Sequence, residues 1–155
     1  MRGRKPSPKG VKMKLYIAYG SNTNHELMAS RCPDAEFIAK TVIKNYRLEF
    51  HGTENNSFLT IVSDDNSQTE VAVWMISEAD ETALDNYEGF PKLYHKKMLD
   101  ISLNRTPRKA LVYIMNDGAG KAIPSEPYFN CVLDGYLDCK INTDQMFEAM
   151  IDAKK

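Results

Sequence analysis

No stretch of the 155 residues approaches the roughly 18 consecutive apolar residues that a membrane-spanning helix requires, and the amino terminus has no apolar segment of signal-peptide type. A cytoplasmic protein that engages no membrane is therefore expected. Cysteine is scarce. Cys32, Cys131 and Cys139 are odd in number and lack CxxC spacing, so neither a disulfide framework nor a zinc site is suggested. His25, His51 and His95 are equally scattered and propose no metal triad. Acid is missing from residues 1–14, which hold Arg2, Arg4, Lys5, Lys9, Lys12 and Lys14; the formal net charge of -1 thus hides about -7 on the remainder. An acidic body gives nucleic acid no electrostatic footprint, and no aromatic interleaves the six cations. Residues 1–12, with Gly3, Pro6, Pro8 and Gly10, read as a disordered basic extension, and residues 13–155 as one domain. A 43% hydrophobic content suffices for one core, and the length is too short for two ordinary domains. Gly20-Ser21 near His25 is not a GxSxG elbow, and Gly118-Ala119-Gly120-Lys121 lacks both the spacing and the Ser/Thr of a phosphate-binding loop.

What is present is a run of short periodic segments. Lys14 to Asn22 (KLYIAYGSN) begins as an apolar strand and ends in a loop. Asn24 can cap a helix with Glu26 in its first turn, which Cys32-Pro33 stops. Short strands are expected over 37–43, 46–50, 59–62 and 71–76, with a polar loop at 63–69. Ser77, followed by Asp80 and Glu81, opens a helix that Gly89 ends, placing Glu88 in its last turn. Two strands, 94–103 and 109–115, joined by a turn at 104–108, precede a helix beginning at Pro124-Ser125 and a terminal helix from Thr143 to about Ala153. In that last helix Met146, Phe147 and Met150 read as core-facing. Strands outnumber helices and connections are short, so the expected fold is α+β, a mixed sheet curled into a barrel-like core with helices outside.

Two features could carry chemistry. In Tyr19-Gly20-Ser21-Asn22 the glycine allows close backbone approach, and consecutive amides can face an anion; the plainer reading is an ordinary turn using Gly and Asn for positive φ. Glu88 lies among aromatics and proline in LDNYEGFP rather than among lysines. Desolvated there it would be a base near neutrality; otherwise it is a solvated helix-end acid, and Asp85 competes with it.

Taken together, YIAYGSN (16–22), MASRCP (28–33), Tyr46-Arg47-Leu48, Val73-Trp74, LDNYEGFPKLY (84–94), ALVYIMN (110–116) and PSEPYFNCVLDGY (124–136) resemble the γ-glutamylcyclotransferase-like family in its small single-domain branch. The resemblance covers roughly residues 14–141, with Thr23, Ala72 and the polar 63–69 segment as modest departures. It implies a cofactor-free, metal-independent enzyme that cyclises the γ-glutamyl group of a small γ-glutamyl amine or amino acid to 5-oxoproline. Glu88 is then the catalytic base, and Tyr19, Gly20, Ser21, Asn22, Tyr94 and Tyr128 bind substrate. Whether the loop amides hold the α-carboxylate or the oxyanion stays open. The other class is a non-catalytic module of the same fold that binds an amino-acid-like ligand. Exposed tyrosines and phenylalanines leave a homodimer open as well.

Overall fold

The computed structural model describes residues 12–155, so the extension expected at residues 1–12 lies, apart from Lys12, outside the described residues. Strand β1 (Met13–Ala18) is buried continuously from Leu15 to Ala18, as befits a strand covered on both faces. It runs antiparallel to β3 (Asn56–Ser77) and parallel to β5 (Thr106–Met115). With β2 (Glu36–Thr53) and β4 (Tyr94–Leu103) the described residues form one mixed five-stranded sheet in the order β2-β3-β1-β5-β4. The outermost strands approach each other, and the Thr41 hydroxyl on β2 donates to the Ser102 carbonyl on β4 at 2.8 Å. The sheet is thereby curled toward a barrel, and the fold is α+β as expected.

The four short strands expected between residues 37 and 76 are instead two long ones. Asn45 takes φ 70° at the irregularity between Lys44 and Tyr46, so β2 bends without ending. Opposite, Ile43 to Lys44 pair with Thr69 to Gln68 while Tyr46 pairs with Ser63, so residues 64–67 of β3 bulge from the ladder. Asp64 folds that bulge by accepting from the Asn66 amide (3.0 Å) and the Ser67 hydroxyl (2.7 Å). The expected loop at 63–69 is thus a bulge inside a strand. The turn expected at 104–108 tightens to Asn104 and Arg105, whose φ values of 49° and 65° suit a two-residue hairpin.

Capping fixes the helices. Asn24 Oδ1 accepts from the Leu27 amide (3.0 Å) to start α1 (His25–Arg31). Ser77 and Asp80 cap each other reciprocally at 3.1 Å to start α2 (Glu78–Glu88), and Gly89, left-handed at φ 66°, ends it. Glu88 is therefore the last helical residue. Ser125 caps α3 (Glu126–Cys139), whose Val132 and Tyr136 are fully buried. In α4 (Asp144–Ala153) Met146 is buried and Met150 packs on the core, whereas Phe147 is 44% exposed and leans on Phe129 at the surface, not into the core. Among the described residues no helix is long and apolar enough to cross a membrane.

Candidate active site

The carboxyl end of β1, the end of α2 and the first turns of α3 enclose a cavity of about 470 Å³. Its wall includes Glu88 together with Tyr19, Gly20, Ser21, Tyr94 and Tyr128. Six of the seven residues singled out in the sequence thus share one cavity, although they are spread over more than a hundred positions. Asn22 does not line it. That side chain is 3% exposed, donates to the Tyr16 hydroxyl at 3.0 Å, and accepts from Arg31 Nη1 at 2.8 Å.

The YGSN loop is not the ordinary positive-φ turn weighed above. Gly20 has φ -118°, and neither Ser21 nor Asn22 takes a positive φ. The amides of Thr23 and Asn24 close a 3₁₀ turn (Ser21–Thr23) on the carbonyls of Gly20 and Ser21, at 3.1 and 3.0 Å. The Ser21 and Asn22 amides come first in that turn and have no acceptor within it. Position 20 is tight: a Cβ there would lie 3.1 Å from the Tyr128 hydroxyl, which would have to yield by a few tenths of an ångström. Behind the loop, the Tyr136 hydroxyl donates to the Tyr19 carbonyl (2.7 Å), and the Tyr19 hydroxyl donates to the Tyr113 carbonyl (2.5 Å).

Glu88 is half-buried on the cavity wall, and burial raises its pKa to about 7, with the nearby Arg31 charge pulling the other way. Asp85, its competitor in the sequence, lies in a different environment: the Tyr113 hydroxyl donates to it at 2.6 Å and Lys96 pairs with it at 2.9 Å. Lys96 also pairs with Glu81, so Asp85 belongs to an ion-pair cluster beside α2. Around Glu88 stand four phenols, Tyr16, Tyr19, Tyr94 and Tyr128. Burial raises the pKa of each, and the Glu88 charge adds to that in all four, so they remain protonated donors. Tyr94 and Tyr128 clasp the backbone of one residue: the Tyr94 hydroxyl donates to the Leu59 carbonyl (3.2 Å), while the Tyr128 hydroxyl accepts from the Leu59 amide (3.1 Å). Tyr128 therefore keeps its own proton for another acceptor.

Sequence reasoning missed Arg31. The last residue of α1, it reads as an ordinary cation at a helix carboxyl end. In the fold it lines the cavity, donates through Nη1 to the Ser21 hydroxyl (3.1 Å) and to Asn22, and sits 4.1 Å from the Tyr87 ring centroid. Its Nε is buried without a partner among the described residues. Among those residues no cluster of three or more His, Cys, Asp or Glu could hold a metal ion.

Comparison with known proteins places this geometry. No curated protein sequence matches the chain. A solved structure described as a gamma-glutamyl cyclotransferase superposes with a TM-score of 0.77 at 21% identity, covering 92% of this chain and 87% of its own. An uncharacterized protein from Homo sapiens gives 0.76 at 21% identity, over 92% and 86%. YkqA from Bacillus subtilis gives 0.78 at 17% identity over 93% of this chain, which spans 55% of that larger protein. At such identities these likenesses establish the fold. The sequence profile described as gamma-glutamyl cyclotransferase, AIG2-like, matches residues 16–130, a span that runs from β1 through the YGSN loop and Glu88 into α3. The chain belongs to the gamma-glutamyl cyclotransferase, AIG2-like family.

Proposed function

We propose that the protein cyclises the γ-glutamyl group of a small γ-glutamyl amide to 5-oxoproline and releases the attached amine, with Glu88 as general base. The observation that carries this reading is a carboxyl group whose pKa is raised to about 7 inside a cavity of tyrosines that the YGS loop also lines. In the reaction the substrate's α-nitrogen attacks its own γ-carbonyl carbon. A new C–N bond closes the five-membered ring, and the bond to the leaving nitrogen breaks. Two protons must leave the α-ammonium nitrogen overall. One reaches the departing nitrogen to release it, and the second leaves it as an ammonium.

The enzyme's task is thus to fold one molecule, to move protons and to stabilise the oxyanion. Glu88 takes a proton from the ammonium and returns one to the leaving nitrogen; a base titrating near neutrality suits both steps. Ser21 and Tyr128 both line the cavity, and in this reading the Ser21 amide and the free proton of Tyr128 receive the γ-carbonyl oxygen as its charge develops.

The test is release of 5-oxoproline from a panel of γ-glutamyl amines and γ-glutamyl amino acids. Because the base works ionised, kcat/KM should rise about tenfold per pH unit below about 7 and level off above it. A flat profile between pH 5 and 8 would count against Glu88 as the titrating base. No 5-oxoproline from any compound, with thermal stabilisation by the same compounds, would make the protein a binding module of this fold.

A further inference from the structure

Helix α2 is anchored in the core toward one end only. Asp80 and Leu84 are its buried residues, and none of the four that follow is buried: Asn86 and Tyr87 are exposed, while Asp85 and Glu88 are half-buried. Phe90, just past the helix, is 37% exposed. The turn that carries Glu88 therefore has no apolar side chain in the core to hold it, and helix ends without tertiary anchors fray. From the α1 side Arg31 stacks on Tyr87. On the side of β4 and β5 the ties converge on Asp85, one turn before Glu88 on the same side of the helix.

Lys96 on β4 and Tyr113 on β5 are cross-strand partners, and both reach that carboxylate. The Tyr113 hydroxyl donates to Asp85 Oδ1 at 2.6 Å. Lys96 Nζ meets the two Asp85 oxygens at 2.9 and 3.1 Å and Glu81, one turn earlier, at 2.9 Å. The same ammonium lies 4.3 Å from the Phe90 ring centroid, and the Phe90 amide donates to the Asp85 carbonyl at 2.9 Å. One cation thus touches α2 at two successive turns and the residue two past Glu88. Building on the cyclotransferase reading, we propose that Lys96 is a positioning residue: gripping Asp85, it fastens the last turn of α2 to the sheet and keeps the Glu88 carboxyl in the cavity wall.

The Lys96 and Asp85 side chains are 23% and 27% exposed, so their pair adds little to global stability, and its effect is local. Glu88 reports that effect. It is surrounded by Arg31 from α1, Tyr16 and Tyr19 from β1 and its end, Tyr94 from β4 and Tyr128 from α3, and burial, opposed by Arg31, lifts its pKa to about 7. A frayed turn would admit water to Glu88 and lower that value toward the ordinary carboxylate range. Losing a nearby cation without movement would raise it instead. The sign therefore separates a positioning role from a purely electrostatic one.

Lys96→Met decides the matter. An NMR titration of the Glu88 carboxyl, assigned by the signal missing from Glu88→Gln, should lie near 7 in the parent. In Lys96→Met it should fall by at least about 0.5 of a pH unit, and Lys96→Arg should restore it. In the 5-oxoproline assay kcat should drop at least about tenfold with KM changed less than about twofold, as misplacement of a base requires. The melting temperature should stay within about 4 °C of the parent. In an Asp85→Asn background Lys96→Met should add little, because both act through one contact. Lys109→Met, which breaks the exposed pair with Asp100 on the same hairpin, should leave titration and turnover near the parent values. An unchanged or raised Glu88 titration in Lys96→Met, or a melting temperature that falls while kcat holds, would overturn the positioning role. The titration can be read even in a protein that releases no 5-oxoproline: a lowered value there would keep Lys96 as the anchor of α2 and remove the cyclotransferase reading alone.

Discussion

Glu88→Gln is expected to lower 5-oxoproline formation by a factor of at least about 10³ and, at pH 8, to raise the melting temperature. The first effect follows from removing the only cavity-wall group that can accept a proton near neutrality among the described residues. The second follows from what burial does to that group. Its carboxyl ionises near 4.5 in the unfolded chain and near 7 in the folded one, so below about 4.5 the fold bears no penalty from it. As pH climbs through 7 the folded protein must hold a carboxylate that its surroundings disfavour, and stability from this group is lost. The full shift would correspond to about 3 kcal/mol. Glu88 is only half-buried on a water-accessible cavity, so about 1–2 kcal/mol is the reasonable expectation after screening. For a chain of this size that is a gain of about 2–6 °C at pH 8 for the glutamine variant, shrinking as pH falls toward 5. Melting curves at the two pH values, beside the activity assay, check both halves. A variant that still turns over removes Glu88 from the mechanism. One that is inactive but equally destabilised at both pH values makes Glu88 a structural anchor.

The same group shows how far the sequence could be read. The position of Glu88 at the end of α2 was legible from two local signals, the Ser77–Asp80 capping pair and the Gly89 stop, each of which acts within one turn. Its raised pKa was not, because burial depends on a cavity whose walls, Tyr16, Tyr94 and Tyr128 among them, arrive from β1, β4 and α3. The long β2–β3 hairpin was misread as four short strands for a related reason. Polar clusters such as residues 63–69 read as loops by composition, yet a bulge closed by Asp64 keeps the strand running through them. Arg31 escaped notice because a cation at a helix carboxyl end is commonplace; only tertiary structure sets it between Ser21, Asn22 and Tyr87. Phe147 had helical spacing that fitted a core-facing role, and the core near it is filled by Met146 and Ala149, leaving the ring at the surface.

Gly135→Ala is expected to destabilise the fold by about 2 kcal/mol and to weaken substrate binding from a position outside the cavity wall. A Cβ at residue 135 would fall 2.1 Å from Thr23 Oγ1, 2.5 Å from the Asn24 amide nitrogen and 2.8 Å from the Thr23 carbonyl carbon. Two of those atoms are backbone, so no side-chain rotation relieves the overlap, and α3 must retreat from the 3₁₀ turn. Alanine ordinarily improves a helix by up to about 1 kcal/mol over glycine, and here the steric term outweighs it. The retreat also disturbs bonds that seat the turn. Asn24 Nδ2 donates to the Cys131 carbonyl at 3.1 Å, and the Cys139 thiol donates to the Thr23 carbonyl at 3.2 Å. Asn24 is the cap of α1, so its displacement loosens the helix that carries Arg31. A fall in melting temperature of about 4–8 °C with a several-fold rise in KM is the expected result, measured beside Asp134→Ala, an exposed neighbour on α3 that should leave both near the parent values. A Gly135→Ala protein that melts at or above the parent temperature would mean that α3 does not press on the turn. The YGSN loop would then owe its shape to its own hydrogen bonds alone.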